Sequence, residues 1–195
     1  LKQNGMVSFG HALYYGSSGY IVSILLQAKA APAEVAIILA VVGLTLGAFV
    51  IGLVMVRVPG VAFGMLTLAV GQMAYLTASR ARGVTGGADG MNVEWPSTLF
   101  GVSINLLSKP GPMLMVCWTT LVLVMLGLAL LLRSRFGSIT EAVRDNEERA
   151  RFINIRTLAP RAAVYALSAG VTGLAGAALA GLLGARELGQ LGVAL

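Results

Sequence analysis

Of the 195 residues, 57% are hydrophobic and only 11% are charged. Soluble domains carry roughly 25% charged residues, so this chain cannot keep a water-facing surface solvated and needs lipid as its solvent. The net charge is +6, but the basic residues crowd one loop, which points to membrane topology ahead of nucleic acid. The single cysteine, Cys117, excludes an intrachain disulfide framework, and one cysteine with one histidine excludes a zinc site of the usual kind.

A bilayer core about 30 Å thick takes about 20 apolar helical residues to cross. Five segments meet that requirement: Ser8–Gln27, Val35–Val56, Pro59–Ala78, Met113–Leu132 and Ala162–Gly184. They predict an all-α fold, a polytopic transmembrane helical bundle of about five spans. The first segment carries His11 with several glycines, serines and tyrosines, which suits a broken or buried helix better than a lipid-facing one. Ala28–Glu34 is a short turn containing Pro32. Arg57 and Val58 form a tight hairpin, with Pro59 placed as the first residue of the next helix. Ser79–Pro112 is long and polar, with Gly-Gly, Asp-Gly and Pro-Gly turn signals. In the last segment, Gly170, Gly173, Gly176, Ala177, Ala180, Gly181 and Gly184 give small faces at helical spacing. Such faces allow close helix packing, with a pore-lining role as the alternative.

The connection Arg133–Arg161 is the most charged part of the chain. It holds Arg133, Arg135, Arg144, Arg149, Arg151, Arg156 and Arg161 against Glu141, Asp145, Glu147 and Glu148. Basic residues near span ends stay on the cytoplasmic side, which places this loop inside. Alternation then puts the N-terminus and Arg57 inside and Ser79–Pro112 outside. The chain opens on Leu1, and five spans leave its C-terminus outside, so it is read as a fragment. Within the loop, Ser138 and Glu141 have capping-box spacing. Ile139–Ile153 suits an amphipathic helix with Ile139, Val143, Ala150 and Ile153 on one side. Asn154 stands where a left-handed residue would stop that helix. Such a helix is either a solvated loop element or a docking surface for a cytoplasmic partner.

No Asp, Glu, Lys or Arg lies inside the five segments. A proton relay needs a titratable group in the membrane, so self-energised proton transport is disfavoured. Sodium coupling is disfavoured less strongly, because backbone carbonyls can hold sodium. No paired carboxylates, HExxH, GxSxG or P-loop appear. His11 reads as a hydrogen-bonded helix-end residue rather than a catalyst. If the chain transports a solute, its energy comes from outside the membrane.

Four blocks carry a resemblance. Ser134-Arg135-Phe136-Gly137 and Ala142-Val143-Arg144-Asp145-Asn146-Glu147 match the pattern SRFGRALRAIRENEIAAEALGI. Ser8-Phe9-Gly10-His11-Ala12 with Tyr15-Gly16 and Gly19-Tyr20 matches SLGHAAFFGIGAY. Arg57 through Gly71, with Gly60 and Thr67-Leu68-Ala69, matches RLRGxYFAIVTLAFGE, and Thr85–Met91 matches TGGxNGL. In this order and spacing they resemble the branched-chain amino-acid (Liv-type) permease subunits of ABC importers, over nearly the whole chain. Three departures stand out: Asn154 replaces a Gly, Pro59 a basic residue and Gln72 a Glu.

The resemblance implies a single transmembrane permease domain over 1–195, incomplete at both ends, with 134–158 as a cytoplasmic coupling loop. It implies a bacterial inner-membrane location and a homologous second permease subunit. Cytoplasmic ABC ATPase subunits would use ATP and Mg, a periplasmic binding protein would deliver the solute, and this chain would bind neither a cofactor nor nucleic acid. The cargo would be branched-chain amino acids or related small polar organic solutes. Glu141, Ala142, Arg144, Asn146 and Glu147 are the implied ATPase-coupling residues. Tyr14, Tyr15, Ser17, Ser18 and Thr67 are candidates for the translocation path, with core packing as the competing role. An ion-coupled secondary transporter or channel, or a structural membrane subunit, are the alternatives.

The topology is testable. With Cys117 replaced, a cysteine at Ser138 should be shielded from an impermeant thiol reagent added outside intact cells, and one at Ala88 should be labelled. The reverse pattern would invert the topology.

Overall fold

The computed structural model describes residues 8–29, 32–58, 60–85, 98–99, 102–103, 109–145 and 157–193. Helix α1 runs His11–Gln27, α2 Ala33–Met55, α3 Val61–Arg80 and the short α4 Arg82–Thr85. Two-residue strands β1 (Thr98–Leu99) and β2 (Val102–Ser103) pair antiparallel, Thr98 opposite Ser103. Helix α5 follows at Pro110–Arg133, α6 at Arg135–Asp145 and α7 at Leu158–Val193.

Four of these helices are long and apolar enough to cross a membrane: Ala33–Met55, Val61–Arg80, Gly111–Arg133 and Leu158–Gly181. Helix α1 has 17 residues, about 25 Å at about 1.5 Å per residue, short of a full bilayer core. The first segment is a continuous helix over these residues, buried along one side only. Tyr14, Ser18 and Val22, spaced one turn apart, form its buried stripe. It lies in a core with α2 and α7.

That core is made of small residues. Helix α2 turns Ala33, Ala36, Ala40, Ala48 and Gly52 inward, and α7 turns Ala162, Ala166, Ala169 and Ala177 inward. Gly52 lies against Tyr165 and Ala162, while Gly170 lies against Thr45, so α2 and α7 are antiparallel. Gly173 meets Ser18 and the Tyr14 carbonyl, and Gly19 meets Ala180, so α1 and α7 run parallel. At Gly176 a Cβ would collide with the Tyr15 carbonyl and the Ser18 hydroxyl. Gly170, Gly173 and Gly176 of α7 therefore serve helix contact.

The remaining helices attach more loosely. Helix α3 starts at Val61 behind Gly60, whose φ of 65° is open to a residue without a Cβ. The expected first helical residue, Pro59, lies outside the described residues. Helix α3 touches the core near its start, where Phe63 meets Tyr165 edge-on and Thr67 accepts the Phe9 N–H. Helix α5 begins with prolines in its first turn, where the missing N–H costs nothing. Its described side chains are exposed or half-exposed, including Met115, Trp118, Leu121 and Met125.

Helix α6 corrects one expectation. It begins at Arg135, and Ser138 lies inside it with its hydroxyl donating to the Arg135 carbonyl at 2.9 Å. The capping hydroxyl belongs to Ser134, which accepts the Phe136 N–H at 3.3 Å. Ser134 also ends α5. Gly137, Thr140 and Val143 form the buried side of α6, Ile139 is half-buried, and Ser138, Glu141 and Ala142 are exposed. Ala150, Ile153 and Asn154 lie outside the described residues. Helix α7 continues to Val193, past the expected end at Gly184.

Gly176→Ala should lower the thermal stability of the detergent-solubilised protein by about 1–3 kcal/mol, the usual cost of overpacking. Gly47→Ala, where nothing lies within 4 Å, should leave it unchanged. Equal behaviour of the two variants would refute the close contact of α1 with α7.

Candidate functional site

The hydroxyl and aromatic groups of α1 divide into two environments. One faces α7. Tyr14 donates to the Tyr165 hydroxyl at 3.0 Å, and both rings are buried. The two rings pack edge-on at 5.8 Å, His11 meets Tyr165 at 5.8 Å, and Phe63 meets Tyr165 at 5.8 Å. Edge-on aromatic pairs of this kind gain from ring quadrupoles as well as from packing. His11 stands at the first position of α1 with Nδ1 3.0 Å from the Ser8 hydroxyl. Its Nε2 is buried without a hydrogen-bond partner among the described residues.

Ser18 and Thr67 are also fully enclosed. Ser18 donates to the Tyr15 carbonyl at 2.9 Å beneath Gly176. Thr67 donates to the Gly64 carbonyl at 2.7 Å and accepts the Phe9 N–H at 3.2 Å. Three of the five translocation candidates, Tyr14, Ser18 and Thr67, are thus held in helix packing with their hydroxyls satisfied. Tyr15 is 39% exposed and lines neither this cluster nor the cleft described next. The five are not brought together.

The second environment is a cleft of about 320 Å³ between α1 and α3. Ser17 is the translocation candidate that lines it. Around it stand Phe9, Leu13, Gly16 and Tyr20 of the α1 segment, and Leu68, Gln72, Tyr75 and Ser79 of α3. At one end the helices touch: a Cβ on Gly10 would strike the Thr67 carbonyl, and one on Gly71 would lie 3.7 Å from the Gly10 Cα. From that contact the cleft runs toward Tyr20 and Ser79. Sequence reasoning missed Tyr20, Gln72 and Tyr75 as wall residues. For Gln72 there was a signal, because it is a carboxamide within the body of an otherwise uncharged span.

The coupling candidates lie elsewhere. Glu141 and Ala142 are on the exposed side of α6, which packs between α5 and α7. Arg144 is in the helical backbone of α6, and Asn146 and Glu147 lie outside the described residues. Among the described residues no cluster of His, Cys, Asp and Glu side chains could hold a metal ion.

The buried tyrosine pair gives a stability test. Tyr14→Phe leaves the Tyr165 hydroxyl unpaired and should cost about 1–3 kcal/mol. Adding Tyr165→Phe should recover most of that loss, because both polar groups are then gone. Additive losses in thermal unfolding would show that the two hydroxyls do not depend on each other.

A family model described as the branched-chain amino acid transport system permease component matches residues 2–195. The chain belongs to that family. Searches among curated proteins and solved structures returned no match.

Proposed function

We propose that this permease component is the membrane-spanning subunit of an ATP-driven importer for branched-chain amino acids or related small polar solutes. Membership of the permease family over 2–195 carries this reading. It makes the chain a multi-pass transport subunit rather than an enzyme, and it implies ABC-transporter partners in general. The finer assignments are proposals: a second permease subunit, cytoplasmic ATPase subunits that hydrolyse Mg-ATP, a periplasmic binding protein, and the bacterial inner membrane.

Two features support the energetic part. The five segments contain no Asp, Glu, Lys or Arg, so they hold no carboxylate or amine to relay protons. The exposed side of α6 carries Glu141 and Ala142, on a helix that follows the end of α5 and contacts α7. A partner that moves α6 can shift those helices as rigid bodies. The basic excess around α6 supports a cytoplasmic position for it.

In the reconstituted complex, Glu141→Lys and Ala142→Arg should each lower ATP-dependent uptake by more than about tenfold, since like-charge or steric conflict at a docking face costs several kcal/mol. Ala142 sits on an exposed helix face, so Ala142→Arg should change thermal stability by less than about 0.5 kcal/mol. Full uptake by both variants would exclude docking through this face. Uptake driven by an ion gradient with no ATPase present would overturn the importer reading.

A further inference from the structure

Most described serine and threonine hydroxyls inside the long helices turn back on their own helix. Thr45, Thr67, Ser79, Thr119 and Thr172 each donate to a carbonyl three or four residues earlier. Four residues on the α1–α3 cleft behave differently. Ser17, Tyr20, Gln72 and Tyr75 line its walls, and none of their side chains forms a hydrogen bond among the described residues. An amide held against hydrocarbon with no partner is strongly unfavourable. Polar groups inside membranes accordingly face water-filled cavities or the bundle interior. The open hydrogen-bonding capacity of these four residues lies along one cleft, where water or a polar solute would meet it.

The rest of the lining narrows the choice. Phe9, Leu13 and Leu68 give the cleft apolar walls, and among the described residues no Asp, Glu, Lys, Arg or His lines it. A solute with net charge would find no counter-charge there, and a low-dielectric wall makes that costly. A carboxamide can both donate and accept, and a hydroxyl can do the same. The volume of about 320 Å³ is within the range of small-molecule pockets.

We infer that the α1–α3 cleft holds the permeating solute, and that Gln72, with Ser17 and Tyr20, selects small polar solutes that have an apolar body and no net charge. This rests on the permease function proposed above and adds the place and the rule of selection. Gln72 is the key element, because exchanging its amide for the isosteric carboxylate changes the charge of the cleft and little else.

The test uses the assembled transporter in proteoliposomes with Cys117→Ala as background. Cysteines at Ser17 and Gln72 should react with a water-borne thiol reagent about tenfold faster than one at Met65, which is 68% exposed on α3 and outside the cleft, because thiolates form in water. Leucine should slow the reaction at both cleft positions. In uptake assays, Gln72→Glu should lower the ratio of leucine to lysine uptake by about tenfold, and Gln72→Leu should raise the KM for leucine. Met65→Leu should leave uptake unchanged. Slow labelling at position 72 alongside normal wild-type leucine uptake would mean that lipid or another helix fills the cleft. That outcome overturns the inference and leaves the permease function standing. An unchanged leucine-to-lysine ratio in assembled Gln72→Glu complexes overturns it as well. Fast labelling at position 72 with no leucine uptake by the wild type would instead overturn the importer reading.

Discussion

Helices in lipid gain little by hiding apolar surface from one another, because the lipid tails are as apolar as the partner helix. Their association depends on how closely the backbones can approach and how many atoms then come into van der Waals range. In this protein the approach is made through Gly176 against the Tyr15 carbonyl, Gly170 against Thr45 and Gly52 against Tyr165. Each contact has a glycine on one side and a large or polar group on the other. The chain brings α1, α2 and α7 together in this way and leaves α5 outside that core. Position in the sequence does not decide which helices form the core: α1 and α7 lie at opposite ends of the chain and run side by side.

The same packing sorts the polar groups. Where α1 meets α7, hydroxyls and ring edges pair off within the protein, as at Tyr14 and Tyr165. About a quarter-turn around α1, where Ser17 faces α3, the hydroxyl has no such partner among the described residues. Ser17 and Ser18 are neighbours in sequence with opposite fates, because about 100° of rotation separates adjacent residues on a helix. A serine inside a membrane helix therefore has no single meaning. The side of the helix it occupies decides whether it closes a contact or opens a surface.

Much of the architecture was legible in the amino-acid order. Hydropathy and length located α2, α3, α5 and the start of α7 to within a few residues, since lipid demands long uninterrupted apolar runs. The weakness of the first segment was visible too, in the polar residues that later proved to be its contacts. Sidedness was harder to read. Tyr14, Ser17, Ser18 and Thr67 looked alike as hydroxyl-bearing residues, and only the arrangement of the helices separates Ser17 from the others. The start of α6 was misplaced because two serines, Ser134 and Ser138, lie one turn apart with equal capping chemistry. The end of α5 at Arg133 decides between them, since Ser134 is the residue that must turn the corner.

That corner has a mechanical consequence. Ser134 alone separates α5 from α6, and its hydroxyl is bound on both sides, donating to the Leu131 carbonyl at 2.6 Å and accepting the Phe136 N–H at 3.3 Å. Just beyond it, Gly137 sits so close to the Leu132 carbonyl that no side chain would fit between them. A joint with so little slack behaves as a bracket rather than a tether. Helix α5 has 24 residues, about 36 Å of rod at about 1.5 Å per residue. With the corner held fixed, a rocking of α6 by about 10° swings the far end of that rod by roughly 6 Å, on the order of one helical turn. The bracket thus converts a small rotation at one membrane face into a displacement at the other.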